Sequence, residues 1–422
     1  LHSLAARLRQ EGRNVLHANS SWPTSACVSG APLSPSTQHA PLHAPKSHAK
    51  CSSNTSSLNS VSPIRIIPTK VARTYLSGMG RWAKVKDRWA RVSTLTPRRA
   101  ANLLQLSKSY RQAKRSGRPQ MPRNAMPTSL SIEPTTSCNL RCPECPSGLR
   151  SFTRPTGMLN VDHASQWIEE LAPWLTYVNL YFQGEPLLHP QLDQLIAQCQ
   201  RHGIYSSTST NAHHLTEAKC QSLIDAGLSR LIVSIDGLTQ ETYVSYRVGG
   251  TLSKVMEGTR NMVDAKRRHG RGPHLVWQFL VVGPNEHELP DLLEAASACG
   301  VDEVEIKTAQ LDDPRDGHPL LTEAAAHRRY DSDPITGQWT LRNALEDACW
   351  RMWQGAVLTW DGRVVPCCFD KDAHHVMGQL DQESMAEIWH NEAYAAFRRT
   401  LFADRAGIPM CTNCSEGSHV YA

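Results

Sequence analysis

The chain has 422 residues, with 45 Lys and Arg, 39 Asp and Glu, and 13 cysteines. This length suffices for two or three domains with a large core, and no apolar run approaches the ~18–20 residues of a membrane span. Thirteen cysteines in so long a chain do not indicate a small disulfide-stapled scaffold. Seven of them stand at metal-ligand spacings, which favours a reducing, cytoplasmic location.

The net charge of +6 is distributed unevenly along the chain. Residues 1–130 contain 21 basic and two acidic residues, whereas the remainder contains 24 basic and 37 acidic residues. A basic arm of this kind could bind nucleic acid, an anionic membrane or an acidic partner, or it could be a solvated segment with no partner.

Residues 1–62 are rich in Ser, His, Pro and Ala, poor in acidic residues, and without steady periodicity. Such a segment cannot bury enough apolar surface to order itself, so we expect a disordered or non-native leader. No apolar segment precedes Ala26-Cys27, and a secretory or lipoprotein signal is therefore not predicted. A transit peptide is the alternative interpretation.

Residues 63–127 are predicted to form a basic helical extension followed by a linker. A second helix follows Pro97, and Gly117 and Pro119 then interrupt the helical pattern. We expect these helices to pack on the following domain, with docking to a membrane surface or a substrate carrier as the alternative. The apolar residues of the first helix fall near helical spacing, with Arg and Lys between them: Val71, Tyr75, Trp82, Val85, Trp89 and Val92.

From Leu130 onward, strand patterns alternate with helix patterns, which indicates a parallel α/β sheet. Six such units are predicted, and their functional residues should lie at the carboxyl ends of the strands. The predicted strands are 129–134, 177–182, 205–210, 230–235, 275–282 and 301–307, and the predicted helices are 161–172, 190–202, 216–226, 251–269 and 287–299.

Three thiols follow the first predicted strand at the spacing C-x3-C-x2-C, namely Cys138, Cys142 and Cys145. Thiolates in a tight loop suit a multi-iron centre. Three ligands on a four-iron cube leave one iron open, which is typical of a reactive site. A zinc knuckle or buried thiols are the alternatives, although no fourth Cys or His lies close by, the next being His163.

With the motifs at later strand ends, this triplet resembles the radical SAM superfamily. The resemblance implies a partial (β/α)6 TIM-like barrel. It also implies that the open iron of a [4Fe-4S] cluster binds S-adenosylmethionine. Reductive cleavage would then give a 5′-deoxyadenosyl radical that abstracts hydrogen from a substrate.

The same resemblance assigns cofactor contacts at the strand ends. The turn after the second strand resembles the family's G-G-E-P turn, which receives the amino group of S-adenosylmethionine, although Gln183 replaces the usual first Gly. The end of the fourth strand resembles the family's ribose motif, and alternation places its two polar residues on one face. Arg247 could pair with a carboxylate of S-adenosylmethionine or of substrate, or lie on the surface. Val281 and Asn285 are weaker adenine candidates. The assigned residues are Gln183, Gly184, Glu185, Pro186, Asn211, Ser234, Asp236 and Arg247.

A second cysteine set follows the barrel. It consists of Cys349, Cys367, Cys411 and Cys414, with a predicted D-G hairpin at 356–366 and a predicted helix from Glu383 to Phe402. The set resembles the SPASM extension in its twitch form, which implies one auxiliary [4Fe-4S] cluster that relays electrons or staples the structure. Strand alternation predicts that the adjoining Cys368 points away from the cluster. A zinc ribbon is the alternative.

These patterns predict four segments: 1–62, 63–127, a barrel at 128–340 and an auxiliary-cluster domain at 341–422. The predicted function is that of a radical SAM enzyme that modifies a peptide or protein. Three alternatives stay open. They are a twitch-type dehydrogenase of a sugar or alcohol, a methyltransferase-like user of the same cofactor, and a non-catalytic iron-sulfur or zinc protein that binds nucleic acid. An electron donor such as flavodoxin or ferredoxin is the other expected partner, and we do not expect nucleic acid or an integral membrane segment.

Overall fold

A computed structural model describes residues 82–342 and 345–414. The predicted leader at 1–62 lies outside the described residues. Within the described ranges, no helix combines the length and hydropathy needed to cross a bilayer.

Six parallel strands form the central sheet in the order in which they occur along the chain. Helices follow each of the first five strands, whereas the sixth leads into a loop, and the predicted partial barrel is confirmed. The strands are β1 (Ser129–Ile132), β2 (Tyr177–Asn179), β3 (Tyr205–Thr210), β4 (Arg230–Ser234), β5 (His274–Val281) and β6 (Glu303–Thr308).

Capping residues mark the beginnings and ends of several helices of the barrel. Asn160 caps its helix by accepting from the backbone N–H groups of Asp162 and His163, and Thr216 caps another by accepting from Lys219. Gly270 and Gly300 end helices in the left-handed conformation. The helices are α3 (Pro146–Leu149), α4 (Val161–Leu171), α5 (Leu192–Arg201), α6 (Glu217–Asp225), α7 (Gln240–Tyr246), α8 (Leu252–His269) and α9 (Leu289–Cys299).

In the part of the chain that the structure describes, two helices precede the barrel, α1 at residues 82–92 and α2 at Pro97–Ser116. Proline suits the first turn of α2 because its missing N–H would have no intrahelical partner there. Arg99, from α2, is buried and donates to the backbone carbonyls of Ala172, His202 and Gly203. The prediction that the basic extension packs on the barrel therefore holds for α2.

Helix α1 closes the amino-terminal end of the barrel with a buried ionic network. Asp87 accepts a hydrogen bond from Tyr205 and lies 3.3 Å from Arg230. Arg230 also pairs with Glu303 and Glu305 on β6. Lys84 and Arg91 of α1 pair with Glu303 and Asp87, so each carboxylate of this network has a basic partner.

The carboxyl-terminal segment extends the same sheet. Strand β9 (Gly355–Leu358) pairs in parallel with β1, and β10 (Arg363–Val365) and β11 (Gly378–Gln379) continue antiparallel beyond it. The result is a nine-stranded sheet in the order β11-β10-β9-β1-β2-β3-β4-β5-β6. The predicted D-G hairpin corresponds to β9 and β10. Short helix α10 (Arg351–Gln354) leads into β9.

Two predicted elements are wrong in their extent. The strand expected at 177–182 is shorter, since β2 ends at Asn179. The helix expected from Glu383 to Phe402 is two helices, α11 (Met385–His390) and α12 (Glu392–Ala403). Asn391 adopts extended backbone and its side chain accepts from the N–H of Tyr394, so it caps α12 rather than continuing α11. A hairpin of β7 (Tyr330–Ser332) and β8 (Trp339–Leu341) was not predicted.

Candidate functional site

The three clustered cysteines lie between β1 and α3, at the carboxyl end of the barrel. Cys142 is buried and Cys138 and Cys145 are half-buried, all as free thiols. The backbone N–H of Leu140 donates to Cys138 Sγ at 3.4 Å. The thiols of Cys142 and Cys145 lie close enough to Cys138 to influence its ionisation. The loop therefore collects three soft donors at one place.

Two glycines let the polypeptide pack tightly around this loop. A Cβ on Gly148 would lie 2.6 Å from the backbone nitrogen of Cys142. A Cβ on Gly184 would lie 2.2 Å from the carbonyl oxygen of Thr135, and Gly184 has a φ of +73°. The turn after β2 thus rests directly on the cysteine loop, which a side chain at either position would push away.

Glu185 is buried and fastens the turn to the neighbouring strand. Its Oε1 accepts from the hydroxyl of Thr210 at 2.6 Å and from the N–H of Leu187 at 3.1 Å. Its Oε2 accepts from the N–H of Asn211 at 2.8 Å. Burial raises the pKa of Glu185, and these hydrogen bonds oppose the rise. With one bond on Oε2, the carboxylate keeps acceptor capacity for a further donor.

Asn211 connects the end of β3 to the cysteine loop. Its Nδ2 donates to the side-chain oxygen of Asn139 at 2.8 Å, within the loop itself. Pro186 opens the short 3-10 turn Pro186–Leu188, with Glu185 as its cap. The side chain of Gln183 is buried, 3% exposed, on the strand side of the same turn.

Asp236 and Arg247 form a buried pair beside the thiols. Asp236 is fully buried; its Oδ1 accepts from the N–H of Leu280 at 2.7 Å and its Oδ2 from Arg247 Nε at 2.5 Å. Arg247 is buried, so the surface alternative for it is wrong, and its Nη1 lies 3.8 Å from Cys142 Sγ. Ser234 is buried two residues before Asp236. Their predicted contacts with ribose stay a prediction, and the structure gives Asp236 the additional task of holding Arg247.

Asn285 forms hydrogen bonds that connect the residues after β4 to β5. Its Nδ2 donates to the carbonyls of Asp236 and Leu280, and its Oδ1 accepts from Val282. These bonds use both amide protons, which leaves little donor capacity for adenine. Val281 is fully buried on β5.

The donor set fits an iron-sulfur cluster chemically. Burial raises the pKa of Cys138 to about 12 and of Cys142 to about 11, while the nearby Arg247 opposes the rise at Cys142. Both side chains are therefore thiols at neutral pH until iron binds and displaces their protons. Among the described residues, no three His, Cys, Asp or Glu side chains are compact enough to hold a single metal ion.

The second cysteine set gathers around Arg405. The guanidinium lies within electrostatic reach of the thiols of Cys349, Cys411 and Cys414. Cys411 in turn neighbours Cys367 and Cys414, and burial raises its pKa to about 12. The structure thus brings together the four thiols that the sequence predicts as ligands of an auxiliary cluster, and that ligand set stays a prediction.

The prediction that strand alternation directs Cys367 and Cys368 to opposite sides is wrong. Both residues lie beyond the end of β10, in a turn, so strand alternation does not apply to them. A hydrogen bond with the neighbouring Cys368 thiol, together with burial, raises the pKa of Cys367. The two thiols nevertheless have different surroundings, because Cys367 neighbours Cys411 whereas Cys368 lies near Tyr181 in the barrel.

Two sets of contacts that join the barrel to the auxiliary segment were not predicted. Arg154 donates to both carboxylate oxygens of Glu133, at 2.8 and 2.6 Å, and to the carbonyl of Lys371 at 2.6 Å. Asn413, between the last two cysteines, accepts from the hydroxyl of Tyr330 at 2.7 Å. For the contacts of Arg154, the only signal in the sequence was Glu133, in the predicted strand before the cysteine loop.

Two family models match this chain. Residues 132–296 match the radical SAM superfamily, and residues 349–415 match SPASM, an iron-sulfur cluster-binding domain. The chain therefore contains a radical SAM domain followed by a SPASM domain. The predicted family, enzyme class and cofactors, S-adenosylmethionine with [4Fe-4S] and an auxiliary iron-sulfur centre, are thereby confirmed.

Curated relatives and solved structures agree with this assignment. Over 318 residues, 68% of this chain and 86% of the relative, the chain is 25% identical to the tungsten-containing aldehyde ferredoxin oxidoreductase cofactor-modifying protein of Pyrococcus furiosus. It is 26% identical to the PqqA peptide cyclase of Rhodopseudomonas palustris over 69% of this chain and 80% of that protein. SuiB of Streptococcus suis, crystallised with S-adenosylmethionine, shares the fold with a TM-score of 0.51 at 14% identity, over 83% of this chain and 85% of SuiB.

Proposed function

We propose that this radical SAM enzyme modifies a peptide or protein. The similarity to a peptide cyclase, over four fifths of that protein's length, supports a peptide substrate. The observation that carries the proposal is a row of buried polar side chains facing the barrel interior. A small sugar or alcohol is the competing substrate class.

The row belongs to β2 and the extended residues after it. Burial raises the pKa of Tyr181, and the nearby Tyr177 and Glu305 add to the rise, although β2 and β6 are not neighbours in the sheet. The Tyr181 side chain therefore points into the barrel lumen. Asn179 lies two residues earlier and Gln183 two residues later, so alternation directs them to the same side.

Each of these three side chains has a buried polar atom without a hydrogen-bond partner among the described residues. The atoms are Asn179 Oδ1, Tyr181 OH and Gln183 Nε2. A buried polar atom without a partner costs about 1–3 kcal/mol, so a ligand that supplies the partner gains binding energy here. A peptide offers both amide donors and carbonyl acceptors along its length, which matches one acceptor and two donors spaced along a strand.

The cluster and S-adenosylmethionine, when bound, would supply the 5′-deoxyadenosyl radical that removes a hydrogen atom from the substrate. The chain's own residues orient these groups. Glu185 would accept from the ammonium of S-adenosylmethionine, while Arg247 would place its positive charge beside Cys142. The hydrophobic residues Leu140, Tyr246 and Leu280 exclude water from the neighbourhood of Cys142.

The four auxiliary thiols would saturate a cluster with protein ligands, so it would transfer electrons rather than bind substrate. Cys367 neighbours Tyr394 of α12 and Cys368 neighbours Tyr181, so a cluster held here would be placed to accept an electron from the substrate radical. An external donor such as flavodoxin or ferredoxin would reduce the first cluster.

The test is anaerobic reconstitution, reduction with dithionite and incubation with S-adenosylmethionine. Candidate substrates are peptides encoded beside the gene and a matched panel of sugars and alcohols. We expect 5′-deoxyadenosine by chromatography and a mass change in one of the peptides. A Cys138→Ala/Cys142→Ala/Cys145→Ala variant is the control and should produce neither.

Other products would overturn the proposal. Release of S-adenosylhomocysteine would indicate methyl transfer, and intact S-adenosylmethionine would exclude radical chemistry. Oxidation of a sugar or alcohol, with every peptide unchanged, would support the metabolite dehydrogenase instead.

A further inference from the structure

Helix α1 is amphipathic in the opposite sense to α4 of the barrel wall, which buries the apolar residues Val161, Ala164, Trp167, Ile168 and Leu171. A helix that covers a core normally buries its apolar face and exposes its polar face. In α1 the buried side chain is that of Asp87 and Arg91 is half-buried, whereas Trp89 and Val92 are exposed and Val85 is half-buried. Trp82 and Trp89 are 71% and 69% exposed.

The polar side of α1 is fixed firmly to the barrel. Arg91 lies 2.9 Å from Asp87 and stacks over the ring of Tyr205, with its Cζ 5.2 Å from the ring centroid. Asp87 is also paired with Arg230, as described above. This anchor determines which side of α1 faces away from the protein.

The outward side carries a continuous apolar stripe. Trp82, Val85, Trp89 and Val92 stand three, four and three residues apart, which places them on one face of a helix. Lys86 and Arg88 lie on the two sides of this stripe and are exposed. Leu95, just beyond the helix, is exposed as well.

The segment that carries the stripe is strongly basic. Residues 82–123 contain twelve Lys and Arg, and their single acidic residue is Asp87, which faces the barrel. Ten of these cations are exposed: Lys84, Lys86, Arg88, Arg98, Lys108, Arg111, Lys114, Arg115, Arg118 and Arg123. Lys84 and Lys114 pair with Glu303 and Glu346, and the other eight have no carboxylate partner among the described residues. A partner of this segment must therefore tolerate an excess of positive charge.

We propose that α1 docks this enzyme on an anionic lipid surface, with its stripe of Trp82, Val85, Trp89 and Val92 inserted among the headgroups. Tryptophan combines a large apolar ring with an indole N–H that needs a polar partner, and it concentrates at membrane interfaces for that reason. Flanking Lys and Arg side chains attract acidic headgroups and complete the pattern of an interfacial helix.

A second copy of the chain suits the surface less well. The spacing of the stripe resembles a coiled-coil seam, but such seams favour Leu, Ile and Val rather than two tryptophans. Pairing two copies through α1 would also bring two basic surfaces together, which is electrostatically unfavourable. Anionic lipid supplies the opposite charge.

The experiment is co-sedimentation of the full-length chain with vesicles. Vesicles of phosphatidylglycerol and phosphatidylcholine are compared with phosphatidylcholine alone. We expect binding to the mixed vesicles that weakens at least about tenfold when salt rises from about 0.1 M to about 0.5 M. The Trp82→Ala/Trp89→Ala variant and the Lys86→Glu/Arg88→Glu variant should each lose at least about tenfold in partitioning.

Leu293→Ala is the matched control, because Leu293 is 62% exposed on α9, a helix of the barrel wall. It should bind the vesicles as the unmodified chain does. Iron content and melting temperature of all variants should be unchanged, since the substituted side chains are exposed. The proposal fails if the unmodified chain stays in the supernatant or if the double tryptophan variant still sediments. It also fails if that variant converts a dimer into a monomer, which would identify a second copy as the occupant.

Discussion

The guanidinium of Arg247 lies 3.8 Å from the sulfur of Cys142 and is held there by Asp236. A fixed positive charge beside a cluster ligand favours the more negative, reduced form of the cluster. Asp236 is therefore important for where Arg247 points as well as for any contact of its own.

The first prediction concerns this charge. Replacing Arg247 with Gln should lower the reduction potential of the cluster held by Cys138, Cys142 and Cys145, on the order of tens of millivolts. An anaerobic titration followed by electron paramagnetic resonance measures the change. Iron content should be retained because Arg247 is not a ligand. A potential that stays the same or rises would contradict the assigned role.

The second prediction compares two glycines. Gly184→Ala should weaken S-adenosylmethionine binding at least about tenfold, because both the positive φ and the close carbonyl of Thr135 oppose a methyl group. Gly203→Ala is the matched control, since Gly203 has a φ of +58° but open space around its Cα. Calorimetry of the reconstituted protein should show nearly normal affinity for the control. Equal losses in both variants would mean that backbone strain, rather than the approach to the cysteine loop, is responsible.

The third prediction separates the vicinal cysteines. We expect about eight irons per reconstituted chain, falling to about four for Cys367→Ala and staying near eight for Cys368→Ala. Cys367 neighbours Cys411, whereas Cys368 lies near Tyr181. Colorimetric iron analysis measures the difference. Loss of iron in Cys368→Ala but not in Cys367→Ala would show that Cys368, rather than Cys367, is the ligand.

The fourth prediction tests the buried pair between Arg154 and Glu133. Their side chains are 1% and 0% exposed, so Arg154→Met leaves a carboxylate buried without its partner. Removing one member of such a pair costs about 3–5 kcal/mol, which should lower the melting temperature clearly. The double variant Arg154→Met/Glu133→Gln should recover part of the loss in anaerobic scanning fluorimetry. A single variant as stable as the parent would exclude a structural role for the pair.

Local signals in the sequence were sufficient to predict the barrel and the cysteine loop. Apolar strands alternating with helical patterns predicted six parallel strands, and the observed ends differ by only a few residues apart from β2. Cys138, Cys142 and Cys145 were recognisable because they are close together in sequence. Their clustering depends on a short loop rather than on the tertiary fold.

Contacts between distant segments were not predictable in this way. Nothing near Glu133 indicates that its partner is Arg154, or that Trp360 would donate to the same carboxylate. The break at Asn391 was missed because its helical neighbours have suitable periodicity, while capping depends on a single side-chain hydrogen bond. Similarly, the outward direction of Trp82 depends on Asp87 meeting Arg230, which is 143 residues away.

The pairing of β9 with β1 has a consequence for any attempt to divide this protein. Removing the carboxyl-terminal segment would uncover the backbone of the strand that leads into the cysteine loop. An exposed strand edge pairs with strands of other molecules, so the shortened protein should aggregate rather than remain an active enzyme. The auxiliary segment is therefore part of the enzyme's framework, and exchanging it between relatives would require a replacement strand of matching register.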